Sequence, residues 1–401
     1  MIKVLQIGNK APWPPDDGSS IAIYNMAMGL IHGGVDLHLL TINTKKHFKP
    51  DHAIPESFRK AVHYRSVYKN TNPTPIGAFL NLFSSRSYFV SRFRFNSFKK
   101  ALVELLKTEK FDFVQLEGVF MANYIPEIKK YSTAKIVLRA HNVEHQIWER
   151  HIQRESRLHR KWYLQLQNKR LRNFELNAMR QVDAIVPISK VDEDAFKALG
   201  FKGRLLTCMT GVDINGYSQI SVPRKARSVF YIGSMDWIPN QEAVTWFIKN
   251  CWPMVRKEVP DARFFAGGKG MPLHFFHITE PGVSIIEHVT SAPAFFMEHD
   301  VMVVPLLSGS GIRIKIIEGM SYGKAIVSTR VGAEGIGYTP EKNILIADEP
   351  DDFAAAVIKL LKDVGERERI EQEALHYAKN HFDNKSVVLP LVEFYTRWID
   401  D

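Results

Sequence analysis

The sequence predicts an α/β protein of two domains, each built on a parallel sheet covered by helices. Three observations carry this. Short apolar runs alternate with longer helical patterns along the chain, which is how βαβ units read. The runs are near-continuous Val, Ile, Leu and Phe, as suits strands buried on both faces. The length of 401 residues exceeds one ordinary domain, so two of about 200 are expected.

In the first half the expected strands are Lys3–Ile7, Val35–Ile42, Phe111–Leu116, Lys135–Ala140 and Ala184–Ile188. The polar loop Pro14–Ser20 (PPDDGSS) leads into a helix expected to begin near Ile21. In the second half the strands are Ser228–Ile232, Ala262–Ala266, Val283–Ile286, Val301–Leu306, Ala325–Ser328 and Asn343–Ile346. The polar, proline-containing Ser221–Ser228 reads as a linker, which divides the chain into domains at 1–218 and 219–386. Val387–Asp401 has aromatics and aliphatics at helical spacing and reads as a terminal amphipathic helix.

With 45% apolar and 24% charged residues a sizeable core is available. Cys208 and Cys251 form no metal or disulfide pattern, and a reduced, cytoplasmic setting is expected. The first residues start a strand directly, without the profile of a signal peptide. No apolar run reaches about 18 residues, so no membrane span is expected. The net charge of +10 is uneven: +14 over 1–218 and −4 over 219–401. The surplus gathers in Arg86–Lys110 and Arg150–Arg180, where Lys and Arg mix with aromatics. Such helices suit peripheral contact with an anionic membrane, or are simply solvated faces. No nucleic-acid motif accompanies the charge, so no nucleic-acid partner is expected.

The most informative stretch is Asp300–Gly332, a buried strand, a Gly/Ser loop, a helix and a second strand. Gly309, Ser310 and Gly311 allow close backbone approach. Arg313 and Lys315 place two cations in the first helical turn, and Glu318 follows one turn on. Amides, a helix N-terminus and two cations suit a phosphorylated ligand, and a carboxylate can accept from sugar hydroxyls. That combination reads as a nucleotide-sugar site that supplies positive charge without a metal ion. The plainer reading is a strand–helix turn with a surface Lys315–Glu318 pair. His141 follows the strand Lys135–Ala140, where side chains at a carboxyl end reach a binding crevice. No Gly-x-Gly-x-x-Gly follows the first strand of either half, which opposes a dinucleotide oxidoreductase.

Asp300–Gly332, Tyr231–Phe247 (YIGSMDWIPNQEAVTWF), Arg139–His145 (RAHNVEH) and the PPDDGSS loop together resemble the retaining glycosyltransferases of family 4. The resemblance covers nearly the whole chain. It implies the GT-B fold, two Rossmann-like domains with parallel sheets facing across a cleft, and a final helix that crosses back onto the N-terminal domain. It implies a C-terminal domain that binds the nucleotide sugar and an N-terminal domain that receives the acceptor. Glu318 matches the second glutamate of the family's Glu-x7-Glu motif, expected at the ribose, while Ser310 stands where the first would be. The loop Gly233–Trp237 lacks the Arg and Lys that many members use to hold the diphosphate. Arg313 and Lys315 stand where the family often has Gly and Pro, and are expected to replace that pair. Gly18 and Ser19 align with a Gly-Gly that approaches the donor phosphates. His141 is expected to contact the transferred sugar, and Asp16, Glu117 and Glu144 to face the acceptor or cleft.

The expected function is retaining, metal-independent transfer of a sugar from a nucleoside diphosphate sugar to a glycan or lipid-linked acceptor, in cell-surface polysaccharide synthesis. No cofactor is expected; the protein would be cytoplasmic, with peripheral contact to the inner membrane face. Two other classes stand beside it. A sugar-nucleotide epimerase of the same fold would need acid/base carboxylates beside the sugar, which Ser310 does not supply. A non-catalytic nucleic-acid binder would leave the nucleotide-sugar constellation unexplained.

Overall fold

The computed structural model describes residues 1–15, 17–214, 222–309 and 311–400, without the side chains of Arg154 and Asp400. The chain divides into two compact units, Met1–Gly211 with Lys385–Asp401, and Val212–Asn384. The boundary expected between 218 and 219 lies in 215–221, outside the described residues.

The first unit holds seven strands: β1 (Lys3–Gly8), β2 (Asp36–Thr44), β3 (Arg65–Lys69), β4 (Phe113–Glu117), β5 (Lys135–Ala140), β6 (Ala184–Pro187) and β7 (Arg204–Leu205). They pair in parallel in the order β3-β2-β1-β4-β5-β6-β7. The inner strands follow the apolar runs. The edge strands β3 and β7 are short, charged and at most half-buried, as protected edges are, and no apolar run announces them. Among the helices, α1 (Gly18–His32) begins three residues before Ile21. Asp17 is its N-cap: Ser20 N donates to the carboxylate at 3.1 Å, and the Asp17 amide donates to Ser20 Oγ at 3.1 Å. This reciprocal capping satisfies donors that the first turn leaves unpaired. Further along lie α2 (Pro75–Asn81), α3 (Glu144–Arg154) and α4 (Leu158–Met179).

The second unit holds β8 (Ser228–Ile232), β9 (Arg263–Gly267), β10 (Val283–Ile286), β11 (Val301–Val304), β12 (Ala325–Ser328) and β13 (Leu345–Ile346). Their order is β10-β9-β8-β11-β12-β13, again parallel. Helix α5 (Ile238–Trp246) follows β8, and α6 (Ile314–Ser321) follows the loop after β11. Phe230, Phe247, Trp252 and Phe264 fill the core. In each sheet the strand order reverses once, at β1/β4 and at β8/β11. Loops leaving the carboxyl ends of such neighbours diverge and open a binding crevice.

The last helix, α7 (Asn384–Asp400), starts three residues before the expected Val387. It buries Val388, Leu391, Val392 and Tyr395 in the core of the first unit. Tyr395 stacks on Phe113 at 4.2 Å, and its phenol donates to Gln115 Oε1 at 2.7 Å. Close approach to α1 is possible because Gly29 and Gly33 face it. A Cβ on Gly33 would lie 2.7 Å from Val392, and one on Gly29 would overlap Val388.

Candidate functional site

At the β8/β11 reversal the glycines are required by geometry. Gly309 and Gly311 have φ of +119° and +81°, values that disfavour any side chain. A Cβ on Gly309 would also lie 2.7 Å from Arg313 Nη2 and 2.9 Å from the Trp237 ring. Arg313 stands just before α6 with an extended backbone. Its Nη1 donates to Gly311 O at 2.6 Å, and its guanidinium lies 5.7 Å from the Trp237 ring centre. Only 5% of it is exposed.

Lys315 is half-buried and turns toward the loop after β8. Its Nζ donates to Tyr231 OH at 2.7 Å and Asn240 Oδ1 at 3.1 Å, and lies 4.2 Å from the centre of the Tyr231 ring. A Cβ on Gly233 would meet that Nζ at 2.5 Å. A cation from the first turn of α6 therefore reaches Gly233 in the loop after β8. The surface Lys315–Glu318 pair is not the arrangement found. Burial, then the Arg313 charge, push the Lys315 ammonium down to about 7. Glu318, half-buried one turn on, is pushed up to about 7 by burial, against the pull of Lys315. Both groups titrate near neutrality, a property common at functional sites. Ser310 lies outside the described residues.

At the β1/β4 reversal Glu117 closes β4, in register with Arg139 of β5. It was expected to face an acceptor or the cleft, and this needs correction: it is 1% exposed and its carboxylate is taken up inside the unit. Gln6 Nε2 and Gln115 Nε2 donate to Oε1, each at 2.7 Å. Arg139 Nη1 donates to Oε2 at 3.2 Å, and His141 Nε2 lies 2.6 Å from the same oxygen. Burial alone would raise the Glu117 carboxyl. Arg139 and His141 more than offset that and hold it below its ordinary value. Arg139 Nη1 also lies 3.1 Å from His141 Nε2, so that nitrogen sits between a guanidinium and a carboxylate, and the nearer carboxylate favours a proton on it. Nδ1 accepts from a hydroxyl when the ring is neutral and donates when it is protonated.

The other residues from the sequence are placed as follows. Gly18 and Ser19 are exposed at the start of α1, beside Asp17, whose carboxylate also pairs with Lys10. Asp16 lies outside the described residues. Glu144 opens α3, and its amide donates to Glu175 Oε1 at 3.0 Å. Burial, then the Glu175 charge, raise its carboxyl to about 8. His145 Nδ1 lies 2.5 Å from Glu175 Oε2. Thus the Glu144 backbone is tied to a buried carboxylate–histidine pair. The Asp-x-Asp sequence Asp192-Glu193-Asp194 sits in a helical first turn, where Ser189 Oγ donates to Asp192 at 2.6 Å and Lys190 and Lys197 bind Glu193, each at 2.5 Å. Ser189 is the helix cap, accepting from the Asp192 amide at 3.0 Å, and the buried Glu193 gathers the two lysines into an ion-pair cluster. Asp36, His38 and His63 bring ligand atoms within 4.8 Å of one another, with Lys3 also on the Asp36 carboxylate at 3.4 Å. They gather where β2 begins, at the opposite end of the strand from the carboxyl-end loops.

Sequence reasoning did not single out Tyr231, Trp237, Asn240, Gln6, Gln115 or Arg139. A usable signal was present for Arg139, because a charge inside the apolar run KIVLRA must be paired once buried. Gln6 and Gln115 carry the same message more weakly, as polar residues inside buried strands.

Residues 226–363 match the family model for group 1 glycosyl transferases. A Klebsiella pneumoniae protein described as an uncharacterized 44.6 kDa protein in a cps region is 22% identical over 400 residues, covering 96% of this chain and 98% of that one. Sucrose-phosphate synthase from Thermosynechococcus elongatus has the same fold over all of both chains, with a TM-score of 0.72 at 15% identity. Anabaena HepE in complex with UDP matches over 99% of this chain and 100% of its own, with a TM-score of 0.66 at 13% identity. The chain thus has the fold of the GT-B glycosyltransferases, and residues 226–363 of its second unit match a group 1 glycosyl transferase domain.

Proposed function

We propose that the enzyme transfers a sugar, with retention and without a metal ion, from a uridine diphosphate sugar to a glycan or lipid-linked acceptor in surface polysaccharide synthesis. The observation that carries this is the delivery of Lys315 to the loop after β8, with Arg313 against Gly309 and Gly311 on the same segment. As the bond between sugar C1 and the diphosphate breaks, the electron pair goes to the leaving oxygen. Lys315 meets that charge directly, while Arg313, held beneath Gly309 and against Trp237, reinforces it and shapes the loop. Removing one such preorganised donor typically costs about 3–4 kcal/mol of transition-state stabilisation. The acceptor oxygen bonds to C1 on the face the diphosphate leaves, and its proton passes to the departing phosphate. His141 orients the sugar through Nδ1, and Glu318 receives the ribose hydroxyls. The HepE complex with UDP supports uridine as the base, and the cps-region relative supports a polysaccharide product.

Thermal stabilisation by UDP, GDP, ADP and CMP and their sugars, in chelator, tests this reading. A ligand well above its dissociation constant raises the melting temperature. UDP should do so without metal, and Lys315→Ala should abolish the shift. A shift with none of the nucleotides, or one that needs a divalent ion, would overturn the reading.

A further inference from the structure

Helix α2 is amphipathic in the wrong sense for a soluble protein. Its apolar residues Ile76, Phe79, Leu80 and the following Phe83 recur at helical spacing, which puts them on one face. That face points outward, at 74%, 60%, 62% and 82% exposure. Polar groups hold the inner side. Thr74 caps the helix by accepting from Gly77 N at 3.1 Å, and its own amide donates to Tyr88 OH at 3.0 Å. The buried Asn81 accepts from Gln167 Nε2 at 3.0 Å, and Arg170 of α4 donates to the Asn81 and Leu82 carbonyls, each at 3.0 Å. The orientation is therefore fixed by hydrogen bonds, with the apolar face held out in water. At the start of α4, Leu158 and Trp162 are exposed as well. Contiguous exposed apolar surface of this kind marks an interaction site.

Charge identifies the partner. Residues 57–103, which contain α2, include nine Lys or Arg and no Asp or Glu. Residues 156–174, which form most of α4, include six Lys or Arg and again no acid. In the structure Arg65, Arg94, Lys99 and Arg160 pair with Glu104, Glu127 and Glu155 from beyond these stretches, while Arg86, Lys169 and Arg172 are exposed. An apolar face with two Phe, on a stretch of chain this rich in cations, complements an anionic lipid surface.

We propose that the Ile76–Phe83 face inserts into the surface of an anionic bilayer, with exposed basic residues of these segments such as Arg86, Lys169 and Arg172 on the headgroups. This deepens the reading above, on which it rests, by putting the acceptor at a membrane; it shifts the anchor from the basic helices read in the sequence to the apolar segment that precedes them.

The test is flotation of the full chain with phosphatidylglycerol–phosphatidylcholine vesicles and with phosphatidylcholine alone. The anionic vesicles should carry the protein and the neutral ones at least tenfold less. Phe79→Ser with Phe83→Ser should lower binding to anionic vesicles at least tenfold while leaving the melting temperature and UDP binding unchanged, since both side chains lie in solvent. Ile76→Cys carrying an environment-sensitive dye should blue-shift on anionic vesicles. Equal flotation of the double variant, or none by the wild type, overturns the proposal. So does a dimer in sedimentation that the double variant dissociates, because a second copy would then cover the face. A chain that binds UDP but no vesicle fails this proposal alone; one that floats but binds no nucleotide fails the donor reading alone.

Discussion

Lys315 makes donor binding depend on pH in a way that can be worked out in advance. In the free enzyme its ammonium is held near 7, some three units below an ordinary lysine at 10.5. A bound diphosphate supplies the counter-charge the site lacks, so the bound form regains an elevated value. Binding then takes up a proton wherever the free lysine is neutral. Affinity is full below about pH 7 and falls as pH rises through it, by up to one decade per unit. If the bound value returns above 9, the dissociation constant for UDP should weaken about 50-fold between pH 7 and 9, or roughly 2.3 kcal/mol. The terminal phosphate contributes little to this slope, since such groups ionise near pH 6 (about). Glu318 ionises over the same window and adds repulsion, so Glu318→Gln removes that share. Calorimetry at several pH values, in two buffers of different ionisation enthalpy, reads both affinity and proton uptake. Lys315→Arg should bind with little pH dependence, because a guanidinium stays charged, and Lys315→Met should bind weakly throughout. A wild-type affinity that is flat between pH 7 and 9, or a Lys315→Met enzyme that keeps the wild-type slope, would refute the reasoning.

The remaining predictions concern other groups. Glu117→Ala should cost about 3–5 kcal/mol in chemical denaturation, because it leaves Arg139 as a buried charge without its carboxylate. Glu117→Gln keeps the shape, and should lower kcat more than it raises the donor KM by releasing the His141 tautomer. Glu144 has its folded value raised to about 8, so its contribution to stability is complete below the unfolded value near 4.5 and is lost progressively up to about 8. Glu144→Gln should therefore stabilise by about 1–3 kcal/mol at pH 8.5 and by little at pH 4, measured by thermal melts. Gly29→Ala should destabilise by about 1–3 kcal/mol through collision with Val388, and hydrogen exchange should show α7 opening first.

Much of the fold was legible because a strand buried on both faces must be apolar throughout, and each of the eleven apolar runs overlaps a strand. Arg65–Lys69 and Arg204–Leu205 were invisible because these two edge strands are short and charged, whereas the edge strands β10 and β13 kept apolar residues and could be read. The candidate site was legible where a backbone demand fixes the residue. Gly309 and Gly311 need positive φ, and a cation near a helix start is visible in a linear reading. Partners that meet only through the sheet were not. Tyr231 and Asn240 find Lys315 from 84 and 75 residues away. Glu117 at a strand end suggested exposure, whereas the register with Arg139 turns it inward.

The two reversal points differ in what they leave to a ligand. At β1/β4 the buried carboxylate has two amides, a guanidinium and an imidazole around it, and the charges balance within the unit. Such a network fixes geometry. At β8/β11 the cation rests against a phenol and an amide, groups that satisfy its hydrogen bonds without neutralising it. A buried ammonium in that state is held at the cost of its own protonation, which is why its value falls so far. Supplying a phosphate there restores the charge and relieves the cost together. On the proposed reading the second unit supplies charge for the donor diphosphate and the first supplies a fixed imidazole, and that division follows from this difference.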